Sequence, residues 1–337
     1  MGLNIREIVP RRQITFEELN GKIIAVDAFN AIYQFLSSIR QYDGTPLTDK
    51  QGRITSHLSG LFNRNINLLS EGMKLIYVFD GKPPELKKKT RESRQDVKDI
   101  AKEKYKEAKE SEDYGAMRKY SQQMTKLTSE MIEESKQLLK AMGIMVVEAP
   151  GEGEAQASQI AKHNVYAVAS QDYDCLLFGA PRLIQNLTLA RKRKTVSGIV
   201  DVFPEIIELE KVLNHLQINH EQLICLGILV GTDYNPKGIS GIGQKKALQI
   251  AQKYQYPPVI FQQFPEADFD WQEIFHMFKT PDVKKDIEIE FPKINKDEIK
   301  RIMMEHEFSE ERIDSQLKKL EEIKEKRKQK GLNDYFK

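Results

Sequence analysis

Short apolar runs alternate along the chain with longer segments whose apolar residues recur at helical spacing. The runs Lys22 to Asp27, Lys74 to Asp80, Ile144 to Val147 and Val165 to Ser170 read as strands, since each is brief and continuous in apolar residues. Segments such as FNAIYQFL and EAQASQIAK between them read as helices. Strands separated by helices predict an α/β fold with a mainly parallel central sheet flanked by helices. A parallel sheet gathers the carboxyl ends of its strands on one rim, where ligands of such folds bind. Here KIIAVD ends in Asp27, KLIYVFD ends in Asp80, and VYAVAS runs into Asp172 and Asp174. Glu152 and Glu154 follow the strand-like GIMVVEAP and open the next helix. The same logic puts them on that rim, at a helix start that favours carboxylates.

Composition sets limits on what this rim can serve. With 337 residues, 40% of them hydrophobic, the chain can bury a large core as one large domain or two ordinary ones. Its 52 basic and 50 acidic residues leave a net charge of +2. An anionic partner must therefore be met by local patches rather than by global attraction. No stretch of eighteen apolar residues exists, MGLNIREIVPRRQ lacks a signal-peptide core, and Arg6 stands where acylation of Gly2 would want Ser or Thr. A soluble, intracellular protein without a membrane partner is expected. Cys175 and Cys225 lie in DCLLF and LICLGIL, which suits packed thiols in a reducing compartment better than a disulfide or a zinc site.

Crowded acids need an explanation. Like charges about 4 Å apart repel by roughly 4 kcal/mol at the effective dielectric of a protein surface. One acid after a strand is ordinarily a helix cap or turn residue, but recurrence at three strand ends argues for a shared task. A cluster of Asp and Glu without His or Cys is a hard-oxygen site suited to Mg²⁺, with Mn²⁺ as a substitute. Two such ions about 4 Å apart would offset the charge and clamp both oxygens of a phosphodiester displacement. Downstream, Asp233 precedes Gly241-Ile-Gly243 and Lys245-Lys246. That stretch reads as a helical hairpin whose backbone N–H groups and lysines can meet phosphate, or as a hairpin that only packs. The segment after Asp80, from GKPPELKKK to YSQQM, is poor in large apolar residues and dense in both charges. It reads as solvated helices or a mobile insertion. The end of the chain, KKLEEIKEKRKQKGLNDYFK, begins as a charged helix and continues as a disordered tail with one apolar turn.

VDAFNAIYQFL, TSHLSGLFNR, YVFDGKPPELK, EAPGEGEAQAS, SQDYDCLLFG, GTDYNPKGISGIG, FSEERI and QKGLNDYF together resemble the flap endonucleases of the structure-specific 5′ nuclease family, over the whole chain. The resemblance implies that Asp27, Asp80, Glu152, Glu154, Asp172, Asp174 and Asp233 hold two divalent ions directly or through water. It implies a helical arch at about 82–130, through which a single-stranded 5′ flap passes. Lys87 and Arg94 on the arch would face the scissile phosphate on one helix face, while Lys88, Lys89 and Lys98 serve solubility and loose phosphate contact. Tyr33 would stack a base, against the plainer reading of a core tyrosine, and Thr55 would touch DNA near a 3′-flap site. The hairpin at 232–250, with Gly241, Gly243, Lys245 and Lys246, would hold duplex phosphates, with room for a monovalent cation.

The same resemblance divides the chain into a nuclease domain, 1–325, and a flexible tail, 326–337. The nuclease domain has an N-terminal part at 1–81, an internal part at about 131–255 and a helical part at 256–325. In the tail, Gln329, Leu332, Tyr335 and Phe336 fit the motif that binds the sliding clamp, proliferating cell nuclear antigen. The chain ends one residue after Phe336, without the basic extension of eukaryotic relatives, which suggests an archaeal source. The location would then be cytoplasmic, at the nucleoid, or nuclear for a eukaryotic chain. The expected function is Mg²⁺-dependent cutting of branched DNA by a monomer near the junction of single and double strand, in Okazaki fragment maturation and repair, with some 5′ exonuclease activity. A relative preferring bubbles, junctions or 5′ ends is one alternative. A clamp-bound scaffold without catalysis is another, although none of the seven acids is lost.

Overall fold

The computed structural model describes residues 3–82, 84–111, 113–189, 192–195 and 198–335. Among them the strands are β1 (Arg12–Gln13), β2 (Ile23–Asp27), β3 (Lys74–Phe79), β4 (Met145–Glu148), β5 (Ala167–Ala169), β6 (Arg182–Gln185), β7 (Lys192–Thr195), β8 (Gly198–Asp201) and β9 (Glu205–Glu208). The helices are α1 (Ala28–Ser38), α2 (Ser56–Ser70), α3 (Lys88–Glu110), α4 (Tyr114–Gln123), α5 (Ser129–Ala141), α6 (Gly153–Ala161) and α7 (Asp174–Leu177). Beyond them come α8 (Leu209–Leu216), α9 (His220–Val230), α10 (Gln244–Lys253), α11 (Pro257–Phe261), α12 (Trp271–Lys279), α13 (Lys296–Glu305) and α14 (Glu310–Tyr335).

The main sheet runs in the order β1-β9-β6-β5-β2-β3-β4. Its centre, β6 to β4, is parallel throughout, whereas β9 is antiparallel to both β6 and β1. All four expected strands are present. The antiparallel margin is additional, built from strands of two and four residues that carry too little pattern to be recognised alone. Alternation along β2 divides the core between two faces. Ile24 and Val26 join Tyr77, Phe79, Leu61 and Leu138 on one side, whereas Ala25 joins Ile76, Val78, Leu176 and Leu226 on the other. The register pairs Asp27 with Val78 and Phe79 with Glu148. Strands β2, β3 and β4 therefore end level, and the residues after them emerge on one rim.

Two boundaries differ from the sequence reading. The hairpin is formed by α9 and α10, so it begins at His220 rather than at 232, because α9 is apolar all round and its sequence looks like core. The chain does not leave the helical part at 325, since α14 continues to Tyr335. Ile313, Leu317 and Leu320 anchor its first turns in the core, and helix-prone Glu and Lys carry it on. The segment expected as an arch forms a 3-10 turn at Glu85–Lys87 followed by α3 and α4. Among its described residues the buried apolar ones are Ala101, Ala108 and Met117. Arg40 ties α4 to the body by donating to Ser121 Oγ at 2.6 Å and to Gly44 O at 2.9 Å.

Candidate active site

Six of the seven acids line one cleft of about 510 Å³ on the carboxyl rim: Asp27, Asp80, Glu152, Glu154, Asp172 and Asp233. Asp174 lies beneath, 3% exposed at the start of α7. Local bonds set several of these side chains. Asp27 caps α1, accepting from Asn30 N–H at 3.1 Å and from Ser170 Oγ–H at 3.0 Å. Ser170 Oγ in turn accepts from Asp172 N–H at 3.2 Å. Asp80 Oδ1 accepts from Gly153 N–H at 2.7 Å. A Cβ on Gly153 would meet Asp80 Oδ1 at 2.5 Å, so the residue between Glu152 and Glu154 has to be glycine for the two acidic segments to close up.

Burial and crowding push these carboxyls upward. Asp27 rises to about 7, through burial first and then Asp80 and Asp172. Asp174 rises to about 8, through burial and then Asp172 and Asp233. Asp80 is raised by burial, and Glu154 well raised by burial and then Asp172 and Asp27. Among the described side chains, Lys87 meets two of the rim acids. Lys87 Nζ pairs with Glu152 Oε1 and lies 3.6 Å from Asp233 Oδ2. Burial works against its charge, yet Glu152, Glu154 and Asp233 hold its pKa above the ordinary lysine value.

Among the described residues no three acids are drawn together into a finished metal cage. The donors nonetheless fit hard divalent cations. They are all carboxylate oxygens, Asp174 Oδ1 is buried without a partner, and burial followed by neighbouring carboxylates raises Asp27, Glu154 and Asp174.

The remaining expected residues fall in different places. Tyr33, 39% exposed, lines the cleft rather than the core, and Lys98 Nζ stands 5.9 Å from its ring centroid. Lys98, read from sequence as a solubilising residue, is thus a cleft residue. Lys87 ends the 3-10 turn ahead of α3, so Lys87 and Arg94 do not share one regular helix face. Arg94 falls within α3, with its side chain outside the described set. Thr55 is 5% exposed at the first turn of α2. Its backbone N–H donates to Leu47 O at 2.8 Å. Gly241, with a φ of 76°, and Gly243 have open space where a Cβ would stand. Lys245 and Lys246 are exposed beside them, the latter donating to Gly241 O at 3.2 Å. Cys175 and Cys225 are buried free thiols. Gln329, Leu332 and Tyr335 fall on α14 with side chains outside the described set, and Phe336 lies outside the described residues altogether.

Three contributors escaped the sequence reading. Asn30 and Ser170 bond Asp27, and Tyr234 Oη–H donates to Glu152 Oε2. Asn30 carried the one available signal, an N3 position three residues after a capping acid. Ser170 and Tyr234 act across the fold, and no spacing reveals them.

Residues 3–101 match the XPG N-terminal domain family, and residues 143–233 match the XPG I-region. The chain is 50% identical over 341 residues to flap endonuclease 1 of Pyrococcus furiosus, covering 100% of both sequences. It is 51% identical over 340 residues to that of Pyrococcus abyssi, covering 100% of this chain and 98% of the other. The solved flap endonuclease-1 from Methanococcus jannaschii superimposes with a TM-score of 0.76 at 41% identity, over 96% of this chain and 98% of that one. The catalytic core of Rad2 in complex with DNA substrate shares the fold, with a TM-score of 0.68 at 24% identity over 91% and 95% of the two chains.

Proposed function

The chain belongs to the flap endonuclease family of XPG-type nucleases, and from that premise we propose how its own residues carry the reaction. It is a structure-specific 5′ flap endonuclease that hydrolyses DNA phosphodiester bonds, and its family is metal-dependent. The metal is Mg²⁺, two ions to a site, held by Asp27, Asp80, Glu152, Glu154, Asp172, Asp174 and Asp233. When bound, the ions supply the positive charge these carboxylates lack and activate the attacking and departing oxygens. The observation that carries this reading is the meeting of six acids, drawn from five stretches of chain, in one cleft with Lys87 paired to Glu152 among them.

The protein's own groups do the positioning. Lys87 brings an ammonium to the place where phosphate charge develops, and Arg94 adds a guanidinium from α3. Tyr33 offers a ring face for base stacking, with Lys98 beside it to meet the backbone. Gly241 and Gly243 leave backbone N–H groups open to a duplex phosphate, flanked by Lys245 and Lys246 and with room for a monovalent cation. Because these contacts address phosphates, binding should weaken steeply with salt and hardly depend on sequence. The products carry a 3′-OH and a 5′-phosphate, which suits Okazaki fragment processing and repair.

Single-turnover cleavage of flap, nick, bubble and four-way junction DNAs, with Mg²⁺ and with EDTA, tests the reading. Cutting confined to flaps and dependent on Mg²⁺ is expected; metal-independent cutting overturns it. At the other end of the chain, Gln329, Leu332, Tyr335 and Phe336 form a plug for a sliding clamp, and the enzyme acts as a monomer recruited by it. Changing Tyr335 and Phe336 together to Ala should leave basal cleavage intact and abolish clamp stimulation. Equal stimulation of the variant would assign the clamp contact to another surface.

A further inference from the structure

Glu152 has a charged donor on one oxygen and a neutral one on the other: Lys87 Nζ at Oε1 and Tyr234 Oη at Oε2. The two donors differ in how they are held. Tyr234 is 7% exposed, and its ring packs edge-on against Phe278 of α12 at 5.2 Å and 76°. Lys87 stands on the short turn at the foot of the arch, its ammonium 5.2 Å from the centroid of the same Tyr234 ring. Behind Glu152 and Tyr234 is a second cavity of about 300 Å³, bordered by Lys82, Ala155, Phe178 and Met277. Without the hydroxyl, the carboxylate has space in which to swing out of the cleft.

We propose that Tyr234 is a positioning residue that fixes Glu152 from behind, while Lys87 reserves the front oxygen, between Glu152 and Asp233, for a divalent ion. The inference rests on the metal reading above and adds an order of events. One oxygen stays bonded to a rigid donor, so the other faces the cleft in a single orientation, as partners of ligating carboxylates commonly arrange. The ammonium offsets charge that Glu152, Glu154 and Asp233 share. Exchange of ammonium for metal then releases Lys87 toward the phosphate, so loading of the site and delivery of the catalytic cation become one movement.

Two substitutions on the two sides of one carboxylate should move metal affinity in opposite directions. Mn²⁺ titration of the DNA-free protein, followed by electron paramagnetic resonance, reads this without turnover. Tyr234→Phe keeps the ring against Phe278 and Lys87 and removes only the donor. Its Mn²⁺ affinity should fall about ten- to a hundred-fold, the usual cost of losing an outer partner of a metal ligand. Flap cleavage should fall at low Mg²⁺ and recover at saturating Mg²⁺. In a Glu152→Gln background the same change should do nothing further, since Tyr234 acts through Glu152. Lys87→Met should bind Mn²⁺ more tightly than wild type while cleaving poorly.

Unchanged Mn²⁺ affinity in Tyr234→Phe overturns the positioning role, and so does loss of cleavage that saturating metal does not restore. Unchanged or weaker binding by Lys87→Met overturns the reserved position, and it can be read even if Tyr234→Phe proves too unstable to titrate. A wild-type protein that binds no Mn²⁺ would instead overturn the metal reading itself.

Discussion

Among the described residues, two clusters of charged side chains are built on opposite principles. On the far side of the sheet from the α9–α10 hairpin, Glu134 of α5 sits between two histidines. His57 Nε2 is 3.1 Å from its Oε2 and His306 Nε2 is 3.1 Å from its Oε1. Next to them Asp49 accepts from Arg53 Nε at 2.7 Å and lies 3.6 Å from His306 Nδ1. Here every acid faces a nitrogen. Burial alone would raise Glu134, but His57, His306 and Arg53 bring it below the usual carboxylate range, and Arg53 does the same for Asp49. On the rim the sign is reversed. Asp27, Glu154 and Asp174 face other acids and are raised. In the paired cluster each acid has its counter-group within the protein, and the contacts join α2, α5 and the turn after α13. Where acids crowd acids, as on the rim, a bound cation supplies charge that favours their ionised forms.

The strongest test of this contrast is loss of function on one side alone. Asp80→Asn should lower single-turnover flap cleavage by at least about 10²-fold, the scale of losing one electrostatic contact in a reacting centre. Its melting curve should match or exceed that of wild type in EDTA. Near-normal turnover with Mg²⁺ would remove Asp80 from the metal set. Glu134→Gln is the counterpart. It leaves buried imidazoles without their carboxylate and should cost about 2 kcal/mol in denaturant unfolding, with cleavage at 25 °C unchanged. A large fall in cleavage there would mean that the paired cluster also serves the reaction.

Sequence disclosed the two clusters unequally, for a physical reason. The rim acids end strands of a parallel sheet, and strand ends converge by topology alone, so Asp27, Asp80 and Asp172 could be brought together without coordinates. Glu152 and Glu154 needed only the next helix start. The paired cluster draws Asp49 and Arg53 from a loop, His57 from α2, Glu134 from α5 and His306 from the turn after α13. No local rule brings those positions to one point. Tyr234 was missed for the same cause, since it reaches Glu152 across 82 positions. The end of the chain failed differently. Its charge density reads as a disordered tail, but the same Lys and Glu residues are good helix formers, and α14 carries on through them.

An identical chemical change should have opposite consequences in the two clusters. Asp174→Asn removes a buried like charge, where Glu134→Gln removes a buried partner. In EDTA at pH 8, Asp174→Asn should therefore stabilise the protein, by about 1 kcal/mol if the carboxamide fills the same space. Measured by denaturant unfolding beside Glu134→Gln, it should shift the midpoint the other way. A destabilisation of the same sign in both variants would show that Asp174 already has its counter-charge inside the fold.

The smallest effect expected, and the one that separates the clusters by pH, is the shape of the stability profile. Asp27 and Asp174 bind protons more tightly folded, at about 7 and about 8, than an unfolded aspartate near 3.8. Between about pH 4 and pH 8 the folded state thus holds protons that the unfolded state has released. Stability contributed by these groups is complete below that window and is lost as pH rises through it. Glu134 has the opposite sign, being lowered from 4.5. Its contribution is present above that value and is lost as pH falls through its lower folded pKa. Melting temperature in EDTA should accordingly decline on both flanks. Saturating Mg²⁺ should flatten only the alkaline flank, because a bound cation replaces the protons that the rim acids would otherwise retain, whereas Glu134 already has its histidines. Asp174→Asn should flatten that flank without metal, and Glu134→Gln should change only the acid one. An alkaline decline that Mg²⁺ leaves untouched would trace it to groups outside the cleft, and the contrast between an unfinished and a finished charge cluster would fail there.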